Sequence, residues 1–148
     1  MSKLLTQHNS STVSVVGHSL GAALALLDTV YLPLHLPANT SVRMVGYGLP
    51  RVGNAAFADY VDSSSALLVT HINNLKDPFP IAVGEFLGYV HPSGEIHIQK
   101  PGVWVVCPGQ DNPSSMCIVG DEPTLLNGNV MDHLGLYNDD IIMGLCFL

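Results

Sequence analysis

Hydrophobic and polar positions in the first half of the chain form alternating blocks of two kinds. The β-branched run at residues 12–16 predicts a strand, and the almost wholly apolar run at residues 20–31 predicts a helix buried beside a parallel sheet. Two further strands are predicted at residues 41–47 and 67–72, with a short helix between them at residues 55–61. Strands and helices that alternate at this spacing are typical of a mostly parallel α/β sheet with flanking helices and right-handed crossovers.

The boundaries of these blocks carry recognisable signals. Pro33 and Pro37 end the long helix, and Asn54 is a good N-cap for the short one. Leu4 and Leu5 predict the last turns of a helix that precedes the first strand.

The pattern changes beyond Asn74, where the apolar runs become shorter. Strand-like pieces are predicted at residues 87–90, 95–99 and 103–106, and proline and glycine turns separate them. The sequence contains neither internal repeats nor low-complexity tracts, so residues 1–148 are predicted to form a single α/β domain.

Composition excludes two classes of function. The chain has a formal charge of −7 and only five Lys and Arg residues, which are too few for a nucleic-acid-binding patch. Asp28, Pro33 and Pro37 interrupt the longest apolar run, so no transmembrane segment is predicted. Because 47% of the residues are hydrophobic and only 11% are charged, we expect a large share of the chain to be buried.

The junction between the first strand and the long helix contains the pentapeptide Gly17-His18-Ser19-Leu20-Gly21. A serine in a G-x-S-x-G sequence between a strand and a helix can act as a nucleophile, because the sharp turn exposes its hydroxyl group. Glycines are expected at both ends because a Cβ atom would crowd the packed strand and helix. The helix that begins at Leu20 directs its free N–H groups toward the position of an oxyanion. The alternative is a serine that only caps this helix.

A nucleophilic serine on such a sheet needs an acid and a base downstream, in the order Ser, Asp or Glu, His. Asp77 lies in a turn directly after the strand at residues 67–72, at the end where the crevice of a parallel sheet forms. Asp59 and Asp62 fall on the solvated face of a predicted helix, and Asp28 lies inside the long helix. Asp77 is therefore the predicted acid, with an ordinary Asp-Pro turn residue as the alternative.

Seven histidines are candidates for the base. His133 follows Asp77 in the required order, on a predicted loop with enough slack to return to the crevice. His91 and His97 bracket a predicted hairpin, where a structural role is favoured. The others lie in surface-like segments, inside the elbow or in the third strand: His8, His35, His18 and His71. Order along the chain favours His133 but leaves the identity of the base open.

Longer segments of the chain resemble one known family. Over essentially its whole length, and in the family's order, the chain contains GHSLGAALALLD, YGLPRVGNAAFADYV, NNLKDPFPI, YVHPSGEIHI, CPGQDN and DHLGLY. Together these segments resemble the secreted class 3 lipases of fungi, a branch of the α/β-hydrolases. The resemblance implies a partial α/β-hydrolase fold with Ser19 as nucleophile, Asp77 as acid and His133 as base. It also implies an oxyanion donor at the backbone N–H of Leu20.

The chain also departs from this family. The resemblance implies a catalytic domain nearly twice as long, with strands, a lid helix and a second oxyanion donor before the elbow. We therefore expect the 148-residue sequence to be a truncated form. The resemblance supports a disulfide between Cys107 and Cys117, and it implies that Cys146 pairs with a cysteine in the missing segment. A reduced thiol buried in the apolar tail is the alternative for Cys146.

The location of the protein is also implied by the resemblance, which predicts that the full-length protein is secreted. Two N-x-S/T sequences, at Asn9 and Asn39, are compatible with that location. Residues 1–8 do not have the charged and apolar pattern of a signal peptide, so a leader is expected in preceding sequence.

The function implied is that of a carboxylic-ester hydrolase, in the first place a triacylglycerol lipase, acting on a lipid or other ester at an oil–water interface. No metal or organic cofactor is expected, and the oligomeric state is not predicted. Candidate substrate-binding residues are His18, Phe79, Ile81 and Leu134, with core packing as the alternative for the apolar three. Two other functions stay open: a feruloyl or other esterase, and a catalytically inactive fragment or lipase-like binding protein.

Overall fold

The fold is built on one five-stranded sheet, and the computed structural model describes residues 1–137 and 141–143. The described strands are β1 (Thr12–His18), β2 (Ser41–Tyr47), β3 (Gly53–Asn54), β4 (Leu67–Asn74), β5 (Tyr89–Val90), β6 (Glu95–Lys100) and β7 (Val103–Cys107). The described helices are α1 (Ser2–Gln7), α2 (Leu20–Tyr31), α3 (Ala55–Ser63), α4 (Ile118–Asp121) and α5 (Val130–Leu134). Two 3₁₀ turns lie at Leu32–Leu34 and Glu85–Leu87.

The order of strands in the sheet is β1-β2-β4-β6-β7. The first four strands are parallel to one another, and β7 is antiparallel to β6. The register pairs Gly17 with Gly46 and Tyr47 with Ile72, so that β1, β2 and β4 end side by side. This arrangement confirms the predicted mostly parallel α/β sheet with flanking helices. It also brings the residues that follow these strands to one edge of the sheet.

Helix α2 covers one face of this sheet with small and aliphatic side chains. Ala22, Ala25 and Leu26 are buried against Met44 and Leu49. Burial of an aliphatic side chain such as Leu26 is worth about 1.5–3 kcal/mol, so this layer is a main source of stability for the elbow beside it. The predicted helix is present, but the expectation that it is buried all round is wrong, because only one of its faces packs on the sheet and the other is open to solvent.

The two glycines of the elbow differ in their surroundings. A Cβ atom on Gly17 would lie 2.2 Å from the carbonyl oxygen of Gly21, so the contact of β1 with α2 requires glycine there. A Cβ atom on Gly21 would meet nothing within 4 Å. The expectation that both positions are crowded is therefore right for Gly17 and wrong for Gly21, because α2 has turned that position away from the sheet.

The predicted start of α3 is confirmed by its cap. The side-chain oxygen of Asn54 accepts a hydrogen bond of 3.0 Å from the backbone N–H of Phe57. Such a cap is worth about 1 kcal/mol because it satisfies a donor that has no partner inside the helix. The predicted helix before β1 is also present, as α1.

The second half of the chain differs from the prediction in two places. Residues 91–97 do not form a hairpin, because β5 pairs antiparallel with β3 in a separate two-stranded sheet while β6 joins β4 in the main sheet. Residues 85–87 form a 3₁₀ turn, and Gly88 at φ +81° ends it, so the strand predicted from residue 87 begins only at Tyr89.

A disulfide joins Cys107 at the end of β7 to Cys117 at the start of α4, with a Cα–Cα distance of 5.8 Å. This bond confirms the predicted pair. Glu95 lies beside the two sulfur atoms, but its Oε1 accepts a hydrogen bond from Ile118 N, so the group is accounted for without a metal ion. Cys146 lies outside the described residues. In the ranges that the structure covers, no helix is long and apolar enough to cross a membrane.

Candidate active site

Ser19 lies on a sharp turn between β1 and α2. Its backbone has φ 58° and ψ −128°, a conformation that costs a residue other than glycine about 1–3 kcal/mol. Two hydrogen bonds hold the turn: Ser19 N donates to Tyr47 O at 2.9 Å, and Ala22 N donates to Ser19 O at 2.9 Å. The Ser19 side chain forms no capping hydrogen bond with α2. A strained turn that is held on both sides but leaves its hydroxyl group unused has the geometry of a nucleophile elbow.

Asp77 and His133 form a buried pair at the same edge of the sheet. The imidazole Nδ1 of His133 donates to Asp77 Oδ2 at 2.8 Å, and Asp77 Oδ1 accepts from Phe79 N at 2.9 Å. Both side chains are almost wholly buried. Because Nδ1 carries the proton in this bond, Nε2 is left with a lone pair that can accept one.

The sequence places His133 in a loop, but the residue lies in the short helix α5, which begins at the Asn129 cap. Three hydrogen bonds join α5 to the segment that carries Asp77: Lys76 N to Asp132 Oδ2, Asn74 Nδ2 to Asp132 O, and Asn129 N to Lys76 O. These bonds fix the helix against the end of β4. Sequence reasoning missed Asp132, although its position directly before a candidate base could have indicated it.

His18, the residue directly before Ser19, contacts His133. The His18 ring lies 4.5 Å from the His133 ring, centroid to centroid, and His18 Nε2 donates to the His133 carbonyl oxygen at 2.7 Å. Partial burial lowers the pKa of His18, and the hydrogen bond to His133 O opposes this shift. His18, a candidate substrate-binding residue, lies against the backbone of α5.

His133 Nε2 is buried and has no hydrogen-bond partner among the described residues. Among the described residues, no hydrogen bond joins the side chains of Ser19 and His133. Bonds of this kind are often long in enzymes without substrate and shorten in the complex.

Gly48 is a further residue of the site that sequence reasoning missed. It follows β2 with φ +55°, and its backbone N donates to Ile72 O at 2.9 Å. A Cβ atom at this position would lie 2.7 Å from His133 Nδ1 and 2.8 Å from Asp77 Oδ2. Only glycine lets the backbone approach the pair so closely. Its position directly after a parallel strand was the available signal.

The three apolar candidates for substrate binding, Phe79, Ile81 and Leu134, lie in different surroundings. Phe79 stacks on the His133 ring with centroids 3.9 Å apart and lines a groove of about 250 Å³ with Pro78, Ala82, Leu125 and Val130. Ile81 is buried beside this groove, and Leu134 is half-buried at the end of α5. Leu20 is the first residue of α2, where backbone N–H groups lack partners inside the helix.

His91 and His97, for which a structural role is favoured, are buried, and so is the strand residue His71. His71 and His91 stack with centroids 5.0 Å apart. His97 contacts two backbone carbonyl oxygens, those of Leu75 and Met116. These contacts tie loops to the sheet.

A mostly parallel sheet with a strained serine turn and a buried carboxylate–imidazole pair at one edge defines the chain as part of an α/β-hydrolase. The profile of the family described as lipase (class 3) matches residues 1–86. The chain belongs to this family of class 3 lipases.

Individual relatives agree with this assignment. The secreted mono- and diacylglycerol lipase MDL2 of Malassezia globosa is 36% identical over 137 residues, which cover 91% of this chain and 43% of the relative. The lipase of Rhizopus microsporus var. chinensis superposes with a TM-score of 0.82 at 30% identity, over 96% of this chain and 48% of that one. Lipase II of Rhizopus niveus gives a TM-score of 0.81 at 29% identity, over 96% and 52%. The chain therefore spans about half the length of the relatives it matches.

Proposed function

We propose that this chain carries the catalytic residues of a secreted serine ester hydrolase that acts on acylglycerols. The observation that carries the proposal is the buried Asp77–His133 hydrogen bond of 2.8 Å beside a strained serine turn. Membership of the class 3 lipases and the names of the relatives support the substrate class. Secretion rests on the same names.

The chemistry is a two-step acyl transfer. Ser19 Oγ attacks the ester carbonyl carbon while His133 Nε2 takes its proton, and Asp77 holds the imidazole in the required tautomer. The alcohol leaves with the proton that His133 returns, and an acyl-serine remains. Water then attacks the acyl-serine in the same way, releasing the carboxylic acid and restoring Ser19. The mechanism requires no metal or organic cofactor.

The tetrahedral intermediate carries a negative oxygen that backbone N–H groups must stabilise. The N–H of Leu20, at the start of α2, is the proposed donor within this chain. One such donor is worth about 2.7–4 kcal/mol, so a second donor supplied by sequence outside this chain would have a large effect on the rate.

The choice of acylglycerols as the proposed substrates comes from the names of two sets of relatives. The Malassezia proteins are named for mono- and diacylglycerols, and a solved Rhizomucor miehei relative is named for triacylglycerides. The apolar groove of about 250 Å³ beside Phe79 is the proposed binding site for an acyl chain. The alternative, a catalytically inactive lipase-like fragment, follows from the length of the chain relative to this family.

Replacement of the proposed nucleophile tests the function. The purified chain is expected to hydrolyse p-nitrophenyl butyrate, and Ser19→Ala is expected to reduce kcat by roughly 10⁴-fold or more, because no other group can form the acyl intermediate. Ser65→Ala, at an exposed position, is the matched control and should retain full activity.

Labelling with a p-nitrophenyl phosphonate separates the proposed function from the alternative. The parent chain should gain one phosphonyl group on Ser19, which mass spectrometry can locate. A parent chain that neither hydrolyses the ester nor reacts with the phosphonate would establish the inactive alternative, and equal hydrolysis by Ser19→Ala would reject the nucleophile.

A further inference from the structure

Two stretches of the chain meet in a cavity at the amino-terminal ends of β1 and β2. The cavity has a volume of about 400 Å³, and hydroxyl and amide side chains form most of its lining. One stretch, residues 9–11, directly precedes β1, and the other, residues 39–41, ends at the first residue of β2. Ser41 N donates to Ser11 O at 2.8 Å, and the parallel register pairs Ser41 with Thr12. The register therefore brings together two segments that are far apart in the chain.

Both stretches have the form Asn-x-Ser, in which x is not proline: Asn9-Ser10-Ser11 and Asn39-Thr40-Ser41. This triplet is the acceptor for N-linked glycosylation in secreted proteins, and the reaction places a bulky, hydrophilic oligosaccharide on the asparagine. Both asparagines line the shared cavity, so the fold collects the two triplets at one place.

The local structure leaves both asparagines open to a large substituent. Asn9 and Asn39 are exposed, and each lies in a turn. Asn9 has φ +48°, in the left-handed region, which asparagine enters more often than most residues other than glycine. The turn at Asn39 is closed by a hydrogen bond of 2.8 Å from Thr40 N to Pro37 O. Backbone bonds therefore hold both turns.

A third triplet, Asn112-Pro113-Ser114, provides a contrast within the same chain. Proline at its middle position excludes it as an acceptor. The side chain of Asn112 is also used within its own loop, because Nδ2 donates to Pro108 O at 2.8 Å and Oδ1 accepts from Ser114 N at 2.9 Å.

We propose that Asn9 and Asn39 are N-glycosylation sites of this protein. In the reaction, Nδ2 of each asparagine forms a bond with C1 of the first sugar of a lipid-diphosphate-linked oligosaccharide. The bond between C1 and the phosphate oxygen breaks, the lipid diphosphate leaves, and Nδ2 loses one proton. The inference rests on the proposed function only for secretion, since the modification requires entry into the secretory pathway.

The two sites lie at the opposite end of the sheet from the Asp77–His133 pair. β1 runs from Thr12, beside the cavity, to His18, beside the serine turn, and at about 3.3 Å per residue these ends are ~20 Å apart. A glycan attached at the amino-terminal ends of the strands therefore leaves the groove beside Phe79 open.

Expression of the chain behind a cleavable secretion signal in a yeast host tests the assignment. Peptide N-glycosidase F in isotopically labelled water converts a glycosylated asparagine to a labelled aspartate, which mass spectrometry can locate. The label is expected at Asn9 and Asn39 and not at Asn112. Whole-cell extracts are measured together with the medium, so that chains that fail to fold are also counted. An unlabelled Asn9 or Asn39 would overturn the assignment of that residue.

Serine variants test whether the label depends on the triplets. Ser11→Ala should remove only the glycan on Asn9, and Ser41→Ala only the glycan on Asn39, because each variant keeps the asparagine but loses the required hydroxyl group. Ser10→Ala, at the variable middle position, is the matched control and should keep both glycans. Labels that persist in Ser11→Ala and Ser41→Ala would contradict the proposal.

Activity tests the placement of the glycans and separates this inference from the proposed function. The kcat for p-nitrophenyl butyrate should be the same for the glycosylated parent and for Asn9→Gln combined with Asn39→Gln. A higher kcat in the double variant at an unchanged urea midpoint would reject the placement away from the active site. A chain that carries both glycans but hydrolyses no ester would reject only the catalytic function. Hydrolysis that depends on Ser19 in a chain without glycans would reject only the glycosylation.

Discussion

At the scale of single residues, the site depends on close approaches that leave no room for additional atoms. The Asp77–His133 pair is enclosed by Phe79 on one side, His18 on another and the backbone of Gly48 on a third. These contacts restrict the position of the imidazole, and its hydrogen bond to Asp77 places the proton on Nδ1. In the proposed mechanism, restriction of this kind lowers the reorganisation that the pair needs when a proton moves.

Gly48→Ala tests the tightest of these approaches. The new Cβ atom would overlap both His133 and Asp77 at a position where φ is +55°, so the imidazole must shift. We expect kcat for p-nitrophenyl butyrate to fall at least about 100-fold, because small displacements of catalytic groups have effects of that order. Unfolding in urea should show a loss of roughly 1–3 kcal/mol from backbone strain.

Gly102→Ala is the matched control for that change. Gly102 also has a positive φ, of +73°, but a Cβ atom there would meet nothing within 4 Å. The free energy of unfolding of Gly102→Ala should fall by a similar amount, because the backbone strain is similar, while its kcat stays at the parent value. Loss of activity in both variants would attribute the effect of Gly48→Ala to general destabilisation.

At the scale of elements, two buried histidines, His71 on β4 and His91 after β5, attach the segment at residues 80–92 to the sheet. His71 Nε2 donates to Pro92 O at 3.1 Å, and His91 Nε2 donates to Pro80 O at 2.9 Å. Both Nδ1 atoms are buried without partners among the described residues. Residues 81–86 of segment 80–92, which the pair holds, form part of the wall of a cavity of about 430 Å³.

The histidine pair predicts a loss of stability in mild acid. Burial lowers the pKa of both His71 and His91 below the ordinary value of 6.5. The nearby Glu95 opposes the shift of the His71 pKa, whereas the nearby Arg51 lowers the His91 pKa further. The unfolded chain therefore binds more protons just below pH 6.5, and stability is complete above that pH and falls as the pH decreases through the folded values.

Urea unfolding at about pH 7.5 and about pH 5.5 would measure this effect. The midpoint should be lower at the acidic pH, and His91→Gln, which can still donate to Pro80 O, should reduce the difference. His35→Gln, at an exposed position, should leave the difference unchanged. A pH dependence identical in all three proteins would contradict the assignment to the buried pair.

The same scale shows which elements could be predicted from sequence. Each of the elements β1, α2, β2, α3 and β4 has its own pattern of apolar residues along the chain. This local pattern is enough to predict whether the segment forms a strand or a helix. The hairpin predicted at residues 91–97 was wrong because β5 pairs with β3, whose two residues carry no strand pattern of their own. Partner choice of this kind depends on contacts between distant segments, which no local pattern encodes.

At the scale of the whole molecule, the outer face of α2 is apolar and open to solvent. Its exposed side chains recur at helical spacing: Leu20, Leu24, Leu27 and Tyr31. β1 lies beside this helix at the edge of the sheet, with β2 as its neighbour on one side. Large exposed apolar surfaces and open edge strands favour association.

The 148-residue chain is therefore expected to bind the dye ANS and to self-associate as its concentration rises. Leu24→Gln combined with Leu27→Lys should decrease both effects, because the stripe is broken at its centre, with little change in the urea midpoint. Leu126→Lys is the control, since Leu126 is 94% exposed but lies outside α2, in the loop before α5. Unchanged ANS fluorescence and sedimentation in the double variant would show that association involves another surface.

The sequence by itself determined the main strands and helices of residues 12–74, the elbow around Ser19, the capped start of α3 and the cysteine pair that closes one loop. These features depend on neighbours along the chain, or on segments that together resemble one family. The tertiary structure decided that Asp77 and His133 meet and that Gly48 must be glycine. Those facts follow from the parallel register, which brings residues far apart in the chain to one edge of the sheet within a few ångströms, and distances of that kind are not a property of sequence spacing.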